Sequence, residues 1–166
     1  MSTSPETGAG ASASAPAKPS RYWEDIEIGE TTRSRAMTVD ADDMVGFATR
    51  YDPQFFHADP DAAKSSLFGG LIASGIYTAA LWRVLDHEEN GAIAWVCGVQ
   101  WDEVRWRKAV RPGDSLTATS VCRSKRPSAS RPGVGIAVLH HEVVDQDGDV
   151  VFSFASTDLV YRRPGA

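Results

Sequence analysis

An aspartate and a histidine five positions apart are the residues of this chain best suited to proton chemistry. Asp52 and His57 lie in the segment Tyr51–Asp59, which Pro53 interrupts. A carboxylate beside an imidazole can hold a water molecule and take its proton. The Gly-containing stretch Phe68–Gly75 then leads into a predicted helix, whose first N–H groups and positive dipole end suit an oxyanion. Together these features indicate an enzyme that acts on an activated carbonyl compound.

The sequence before the pair predicts a helix that ends at Asp52. Asp40 is a favourable N-cap, and Pro53 disfavours helical geometry in the residue before it. His57 is therefore expected in the loop just beyond the helix, followed by a brief helical turn over Asp59–Lys64. Apolar side chains recur at the helical spacing i, i+3, i+4 and i+7: Met44, Phe47, Ala48 and Tyr51.

A second helix is predicted over Ile72–Leu85. It is apolar nearly all round, which is typical of a buried helix rather than an amphipathic one. Gly75 allows close backbone approach at its start. Ser74 is a candidate N-cap, and a bond to Asp52 or to a substrate is an equal alternative.

The remaining sequence predicts an antiparallel sheet. Turns are indicated by Arg111–Asp114 and Asp145–Asp149. The predicted order of elements is a strand, a helix, a buried helix and then about five strands. A sheet curled around one central helix accommodates this order, so the predicted class is α+β. β-branched and aromatic residues mark the strands Thr31–Val39, Ala94–Trp101, Glu103–Val110, Ser115–Arg123, Val134–Asp145 and Val150–Arg162.

Composition limits the classes of function. Residues 1–20, rich in Ser, Ala and Pro, predict a disordered tail, and residues 21–166 predict a single domain. The net charge of -5 gives no support to a nucleic-acid partner. No apolar run reaches the roughly 20 residues needed to cross a bilayer, so no membrane partner is expected. Without a signal peptide or a disulfide framework, a cytoplasmic location is predicted.

These residues resemble the MaoC-like dehydratases of the hot-dog fold, a group that includes (R)-specific enoyl-CoA hydratases. The family pattern is Asp-x-Asn-Pro-x-His-x-Asp, then an Ala-bearing turn, a Phe, a Gly-rich stretch and the central helix. The resemblance covers essentially Tyr22–Arg163 in element order. The matching positions are Asp52, Gln54, Phe55, His57, Asp59, Ala63, Phe68, Gly69, Ile72, Ala73, Ser74 and Gly75.

The chain departs from the family pattern around the pair. Gln54 stands at the Asn position and Phe55 at the Pro position, with the proline displaced to Pro53. Tyr51 replaces the usual Gly, and Ser74 replaces the usual His before the helix Gly. An Asp-Pro-Gln variant recurs in the family, so these departures bear on the substrate more than on the fold.

The resemblance implies a hydro-lyase that adds water reversibly, in syn geometry, to the double bond of a trans-2-enoyl thioester. Asp52 and His57 match the catalytic pair, and the sequence does not assign which of them acts as base. Gly75 matches the helix-start residue whose N–H serves the thioester oxygen. Gln54 and Ser74 are further candidates for substrate binding. No metal and no cofactor are implied beyond coenzyme A or an acyl carrier as part of the substrate. A homodimer or dimer of dimers, with sheets joined edge to edge, is implied as well.

Two other functions compete with the hydro-lyase. A hot-dog acyl-CoA thioesterase usually carries a carboxylate in the central helix or on its facing strand, and Ile72–Leu85 contains no Asp or Glu. A non-catalytic acyl-thioester-binding subunit is the other alternative, and retention of both Asp52 and His57 argues against it. Gly75 also has a simpler explanation, which is close packing of the helix on the sheet.

Other chemically suggestive residues are assigned structural roles. The basic segment Arg123–Arg131 is expected to be a solvated loop rather than a phosphate or carrier-protein site. His140 and His141 are expected to lie on opposite faces of a strand, with no Asp or Cys partner. Core or subunit contacts are favoured over an acyl tunnel for the aromatic residues Trp82, Trp95, Trp101 and Trp106.

Overall fold

A computed structural model describes residues 18–165. Residues 1–17 of the predicted disordered tail lie outside the described residues, and within residues 18–20 the Ser20 N–H donates to Ala92 O at 2.9 Å. The helices are α1 (Ala41–Tyr51), α2 (Phe55–Ala58) and α3 (Gly75–Asn90), with 3₁₀ turns at Trp23–Asp25 and Ala62–Ser65. The strands are β1 (Thr31–Arg33), β2 (Met37–Thr38), β3 (Trp95–Trp106), β4 (Ser115–Pro127), β5 (Val134–Val144) and β6 (Val150–Tyr161).

The six strands form one antiparallel sheet in the order β1-β4-β5-β6-β3, with β2 also pairing with β4. The predicted α+β arrangement is confirmed. Three details were wrong. The first predicted strand is two short strands, and residues 94–110 hold one continuous strand, β3, rather than two. β4 extends to Pro127, so the first half of the basic segment Arg123–Arg131 is strand rather than loop.

The helix α3 packs across the sheet and forms the main core with it. Leu85 is fully buried, as are Phe152 and Phe154 on the facing strand β6. The prediction of an all-round buried helix was wrong, because Ile76 is 58% exposed and Val84 is 50% exposed. The helix also begins three residues later and ends five residues later than predicted. The last turns of α3 carry charged residues. The apolar pattern that marks its first half stops before them and therefore does not indicate that the helix continues.

The helix α1 forms as the sequence predicts. The Asp43 N–H donates to Asp40 Oδ1 at 2.9 Å, which satisfies one free donor of the first turn. Met44 and Ala48 are buried, and the helix ends at Tyr51, directly before Asp52. The expectation that His57 lies in a loop was wrong. After Pro53 the chain starts a second, four-residue helix, and His57 lies within it.

Truncating the buried face of α3 should destabilise the fold much more than truncating its exposed face. Leu85→Ala removes a fully buried side chain, and we expect it to lower the free energy of unfolding by about 2–5 kcal/mol. Val84→Ala, one position earlier and half exposed, should change it by less than about 0.5 kcal/mol. Urea denaturation measures both. Equal effects would contradict the packing of α3 described above.

Candidate active site

The proline break brings Asp52 and His57 together. Asp52 is the C-cap of α1, with its N–H bonded to Ala48 O at 2.8 Å, and it leaves helical geometry at φ -153° and ψ 67°. Gln54 is the N-cap of α2, so the chain turns and restarts a helix within two residues. As a result, Asp52 Oδ2 lies 3.7 Å from His57 Nε2. The predicted proximity of the pair is therefore present in the structure.

Two side chains hold the Asp52 carboxylate. Ser74 Oγ donates to Oδ2 at 2.6 Å, and Gln54 Nε2 donates to Oδ1 at 3.2 Å. The Ser74 hydrogen bond, then that of Gln54 and the nearby His57, lower the pKa of Asp52 below its ordinary value, against the opposing effect of burial. Asp52 is consequently an ionised hydrogen-bond acceptor at neutral pH. Its side chain is 21% exposed, so water can reach it.

His57 is held in one orientation by the backbone. Its Nδ1 lies 2.9 Å from Ile72 O in a buried position. Because a carbonyl oxygen can only accept a hydrogen bond, Nδ1 carries a proton. In the neutral imidazole, Nε2 therefore presents a lone pair toward Asp52. This fixed tautomer is what a proton acceptor for a bound water requires.

The gap between the two groups suits a shared water molecule. At 3.7 Å, Asp52 Oδ2 and His57 Nε2 are too far apart for a direct hydrogen bond. Both are acceptors when the imidazole is neutral, so neither satisfies the other. A water placed about 2.8 Å from each can donate one hydrogen to each and turn an oxygen lone pair toward a substrate.

Gly75 lies directly after Ser74, at the first position of α3. Ser74 Oγ accepts from the Ile76 N–H at 3.3 Å, so the predicted cap is confirmed, and the same hydroxyl also bonds Asp52. Within residues 18–165 the Gly75 N–H has no hydrogen-bond acceptor. It is thus a helix-start donor available to a ligand.

A cavity of about 410 Å³ adjoins these groups. His57 and Gly75 both line it, while Asp52 does not and has its Oδ2 3.7 Å from His57 Nε2. Most of the remaining wall is apolar, which suits an acyl group flanked by a few polar atoms. The apolar part comprises Phe56, Phe68, Ile72, Ala73, Trp106, Ala109 and Val110.

Trp106 lines the cavity, whereas the sequence interpretation favoured a core or subunit contact for it over an acyl tunnel. Instead of entering the core, its indole is 54% exposed and lies over the first turn of α3. Its Nε1 donates to Gly75 O at 2.9 Å. Strand alternation gave no signal for this position, because the strand that carries Trp106 is irregular three residues earlier.

Within residues 18–165 no three His, Cys, Asp or Glu side chains cluster closely enough to hold a metal ion. In the same part of the chain, no helix is both long and apolar enough to span a bilayer.

A second cavity, of about 290 Å³, contains another Asp–His pair. His141 Nδ1 lies 3.7 Å from Asp86 Oδ1, which is too far for a direct hydrogen bond, and has no hydrogen-bond partner within residues 18–165. Its Nε2 lies 2.9 Å from Ser156 Oγ. Burial lowers the pKa of His141 to about 3, with smaller contributions from His140 and Arg83. A histidine this weakly basic is a poor proton acceptor at neutral pH, which favours the cavity at His57 as the active site.

Comparison with known proteins assigns the family. Residues 25–144 match the family described as MaoC like domain, which is most of the described chain. The chain belongs to the MaoC-like domain family. The residues matched include Asp52, His57 and Gly75. The resemblance inferred from the sequence is thereby confirmed.

Relatives in sequence and structure support the assignment. YdeM of Bacillus subtilis, an uncharacterised protein, is 30% identical over 112 residues, which cover 67% of this chain and 79% of YdeM. The MaoC-like dehydratase from Rhodospirillum rubrum superimposes with a TM-score of 0.81 at 35% identity, covering 87% of this chain and 99% of that one. The (R)-hydratase from A. caviae involved in PHA biosynthesis has a TM-score of 0.66 at 21% identity, with 84% and 99% covered, which shows the fold alone. The hot-dog fold is confirmed.

Removing the Ser74 hydroxyl should raise the pKa of Asp52 toward its ordinary value. Ser74→Ala deletes the strongest influence that lowers this pKa and also removes a helix cap, worth about 1 kcal/mol of stability. Carboxyl-carbon NMR titration measures the pKa directly. Ser65→Ala, which removes an exposed hydroxyl bonded only to Ala62 O, is the control and should leave Asp52 unchanged.

The sign of the stability effect follows from the direction of the shift. A carboxylate with a lowered native pKa stabilises the fold above its unfolded pKa, and this stabilisation is lost as pH falls through the native pKa. The stability difference between wild type and Ser74→Ala should therefore be largest near neutral pH and smaller at acid pH. A difference independent of pH would mean that Ser74 acts only as a cap.

Proposed function

We propose that this protein is a hydro-lyase that reversibly adds water to the double bond of a trans-2-enoyl thioester. The observation that carries the proposal is the arrangement of three groups, of which His57 and Gly75 line one cavity and Asp52 lies 3.7 Å from His57 Nε2. These are the ionised Asp52, the oriented His57 Nε2 and the unpaired Gly75 N–H at the start of α3. A paired acceptor for water opposite a donor for an oxyanion is what hydration of a conjugated thioester requires.

In the proposed reaction, the water held by Asp52 and His57 attacks the β-carbon of the substrate. One O–H bond breaks as the C–O bond forms, and the pair takes the proton. The π electrons of the double bond move toward the thioester oxygen, which gains enolate character. The α-carbon is then protonated from the same face, which yields the 3-hydroxyacyl thioester. Elimination of water follows the same steps in reverse.

The thioester oxygen accumulates negative charge in the transition state, and the proposed partner for it is the Gly75 N–H. A fixed backbone donor needs no reorganisation when the charge develops, and the dipole of the 16-residue α3 adds to it. Loss of such a donor costs roughly 3 kcal/mol in comparable sites. Ser74 and Gln54 act on this reaction through the Asp52 carboxylate that they hold.

The reaction moves a water molecule and a proton, so the proposal includes no cofactor. Coenzyme A or an acyl carrier enters only as the thiol part of the substrate. Seven apolar residues line the cavity beside Thr78, Arg107 and Lys108, in keeping with a site for an acyl chain.

The thioesterase alternative needs a carboxylate at the same cavity. The central helix holds three, since α3 continues to Asn90 and includes Asp86, Glu88 and Glu89, which the shorter predicted helix left out, and only Asp86 of these lines either of the two cavities. Asp86 is paired with Arg83 at 2.5 Å and accepts from Asn90 at 2.7 Å. It lines the second cavity and not the one with His57. The hydro-lyase is therefore the better supported function.

Catalysis should depend on both members of the pair. Asp52→Asn removes the negative charge and His57→Ala removes the proton acceptor, so each should lower kcat by at least about 100-fold. The assay follows the loss of enoyl-thioester absorbance with crotonyl-CoA and with longer and branched enoyl-CoA esters. His87→Ala, which alters the exposed imidazole at the far end of α3, is the control and should keep wild-type activity. Activity that survives both active-site changes in folded protein would refute the assignment.

We also propose that the protein is a homodimer joined along β3. This strand is an edge of the sheet, and it presents exposed apolar residues, among them Val99 at 54% and Trp101 at 46% exposure. An unprotected, partly apolar edge is commonly covered by an identical edge related by two-fold symmetry.

A charge placed on this edge should separate the proposed dimer. We expect wild type to elute with about twice the chain mass of 17.9 kDa in size-exclusion chromatography with light scattering. Val99→Lys should shift it to the mass of one chain, because two lysines would face each other across the symmetric edge. Ile28→Lys alters an apolar residue of similar exposure (64%) outside β3 and should remain dimeric. A monomeric wild type would refute the proposed dimer.

A further inference from the structure

The geometry points to Trp106 as a positioning residue that holds Gly75, and hence its N–H, at the oxyanion position; this inference rests on the proposed hydration. Trp106 contacts Gly75 in two independent ways. Its Nε1–H donates to Gly75 O at 2.9 Å, which fixes the peptide plane that follows Gly75. Its ring also packs against the Gly75 Cα, because an added Cβ would lie 2.8–3.3 Å from three indole atoms.

These contacts explain why the residue at 75 is glycine. The three atoms that a Cβ on residue 75 would meet first all belong to Trp106, so the indole occupies space that a side chain would need. The backbone of residue 75 has an ordinary negative φ, and conformation therefore does not require glycine there. The glycine serves the close approach of the tryptophan.

The strand β3 is built to deliver Trp106 to this place. Trp101 and Trp106 are five residues apart and would point to opposite faces of a regular strand. Between them, the pairing with β6 slips, so that Asp102 and Arg105 face Ala155 and Ser153, and two residues of β3 oppose Phe154 alone. Glu103 takes a left-handed conformation there, with φ 54°.

The bulge changes the side of the strand on which later residues lie. Trp101 contacts Phe154, with ring centroids 4.3 Å apart, and Trp106 contacts Phe152, with centroids 5.4 Å apart. Phe152 and Phe154 lie on one face of β6 and touch each other at 5.2 Å. Both tryptophans are thus on the face that carries α3. A non-glycine residue in the left-handed region costs energy, and such strain is often kept where it serves a site.

The expected consequence is on the transition state rather than on substrate binding. An N–H donor that drifts from the thioester oxygen loses most of its effect where charge is greatest, while the acyl group keeps the apolar wall residues other than Trp106. Trp106 should consequently affect kcat much more than KM. A role limited to the stability of β3 would not produce this separation.

Three variants test the inference with the full-length chain and crotonyl-CoA as the probe. Trp106→Phe keeps the ring against Gly75 but deletes the hydrogen bond, and kcat should fall by about three- to tenfold with KM within about twofold. Trp106→Ala removes both contacts and should lower kcat by about 10- to 100-fold. Trp101→Phe is the matched control, a half-exposed tryptophan on the same strand and face that does not line the His57 cavity, and it should leave both constants unchanged.

A double-mutant cycle tests the contact itself. Gly75→Ala in the wild-type background should impair kcat, because the new methyl group displaces the indole. In the Trp106→Ala background the same change should cost less, because the colliding atoms are gone. Additive losses in folded variants would overturn the role of Trp106.

The outcomes separate this inference from the proposed function. Wild type inactive on every enoyl thioester of the panel would overturn the hydro-lyase and, with it, the role of Trp106. An active wild type whose Trp106→Phe and Trp106→Ala variants keep kcat would overturn the role of Trp106 alone. The role of Trp106 would also be overturned if its variants changed kcat and KM only as much as Trp101→Phe does.

Discussion

The hydrogen bond from Ser74 Oγ to Asp52 Oδ2 is the contact on which the arrangement of the site depends. It joins the C-terminal end of α1 to the N-terminal start of α3 through two residues that are 22 positions apart in the chain. The same hydroxyl accepts from the Ile76 N–H and so caps α3. One side chain therefore fixes the carboxylate that would hold water and the helix start that would hold the thioester oxygen. The Asp52 carboxylate and the start of α3 can therefore shift relative to each other only if Ser74 moves or loses one of these hydrogen bonds.

The second constraint on the site comes from the sheet. Helix α3 is held on β6 by a buried aromatic row, in which Phe152 and Phe154 are fully buried. The bulge at Glu103 extends this row to Trp106 and so connects the core to the first turn of α3. The position of Gly75 is thereby set from two sides, by Ser74 in the preceding loop and by the indole above. A hydrogen-bond donor stabilises the charge of a transition state best when packed elements hold that donor rigidly in place.

Much of this arrangement follows from local sequence signals. The Asp40 cap, the apolar spacing and Pro53 determine where α1 ends, and this places Asp52 correctly. Ser74 and Gly75 are recognisable because a cap and a small residue have local causes. Other features depend on tertiary contacts. The continuation of α3 to Asn90 depends on buried polar contacts, in which the Asn90 amide donates to Asp86 and to Ser120 of β4. The contact of Trp106 with Gly75 could not be predicted, because a bulge reverses the alternation of side chains that predicts which face of a strand a residue lies on.

Two Asp–His pairs within residues 18–165 have the same separation of 3.7 Å, and their surroundings decide which of them is suited to proton transfer. Around Asp52, hydrogen bonds from Ser74 and Gln54 outweigh burial and lower the pKa, so the carboxylate is charged. Around Asp86, burial dominates and raises the pKa despite Asn90 and Arg83. His57 is turned by a backbone carbonyl so that its Nε2 faces the carboxylate, whereas burial makes His141 a very weak base. Residue type and distance are therefore insufficient to identify the active pair. The deciding quantities are the balance between hydrogen bonding and burial at each carboxylate and the burial of the His141 imidazole.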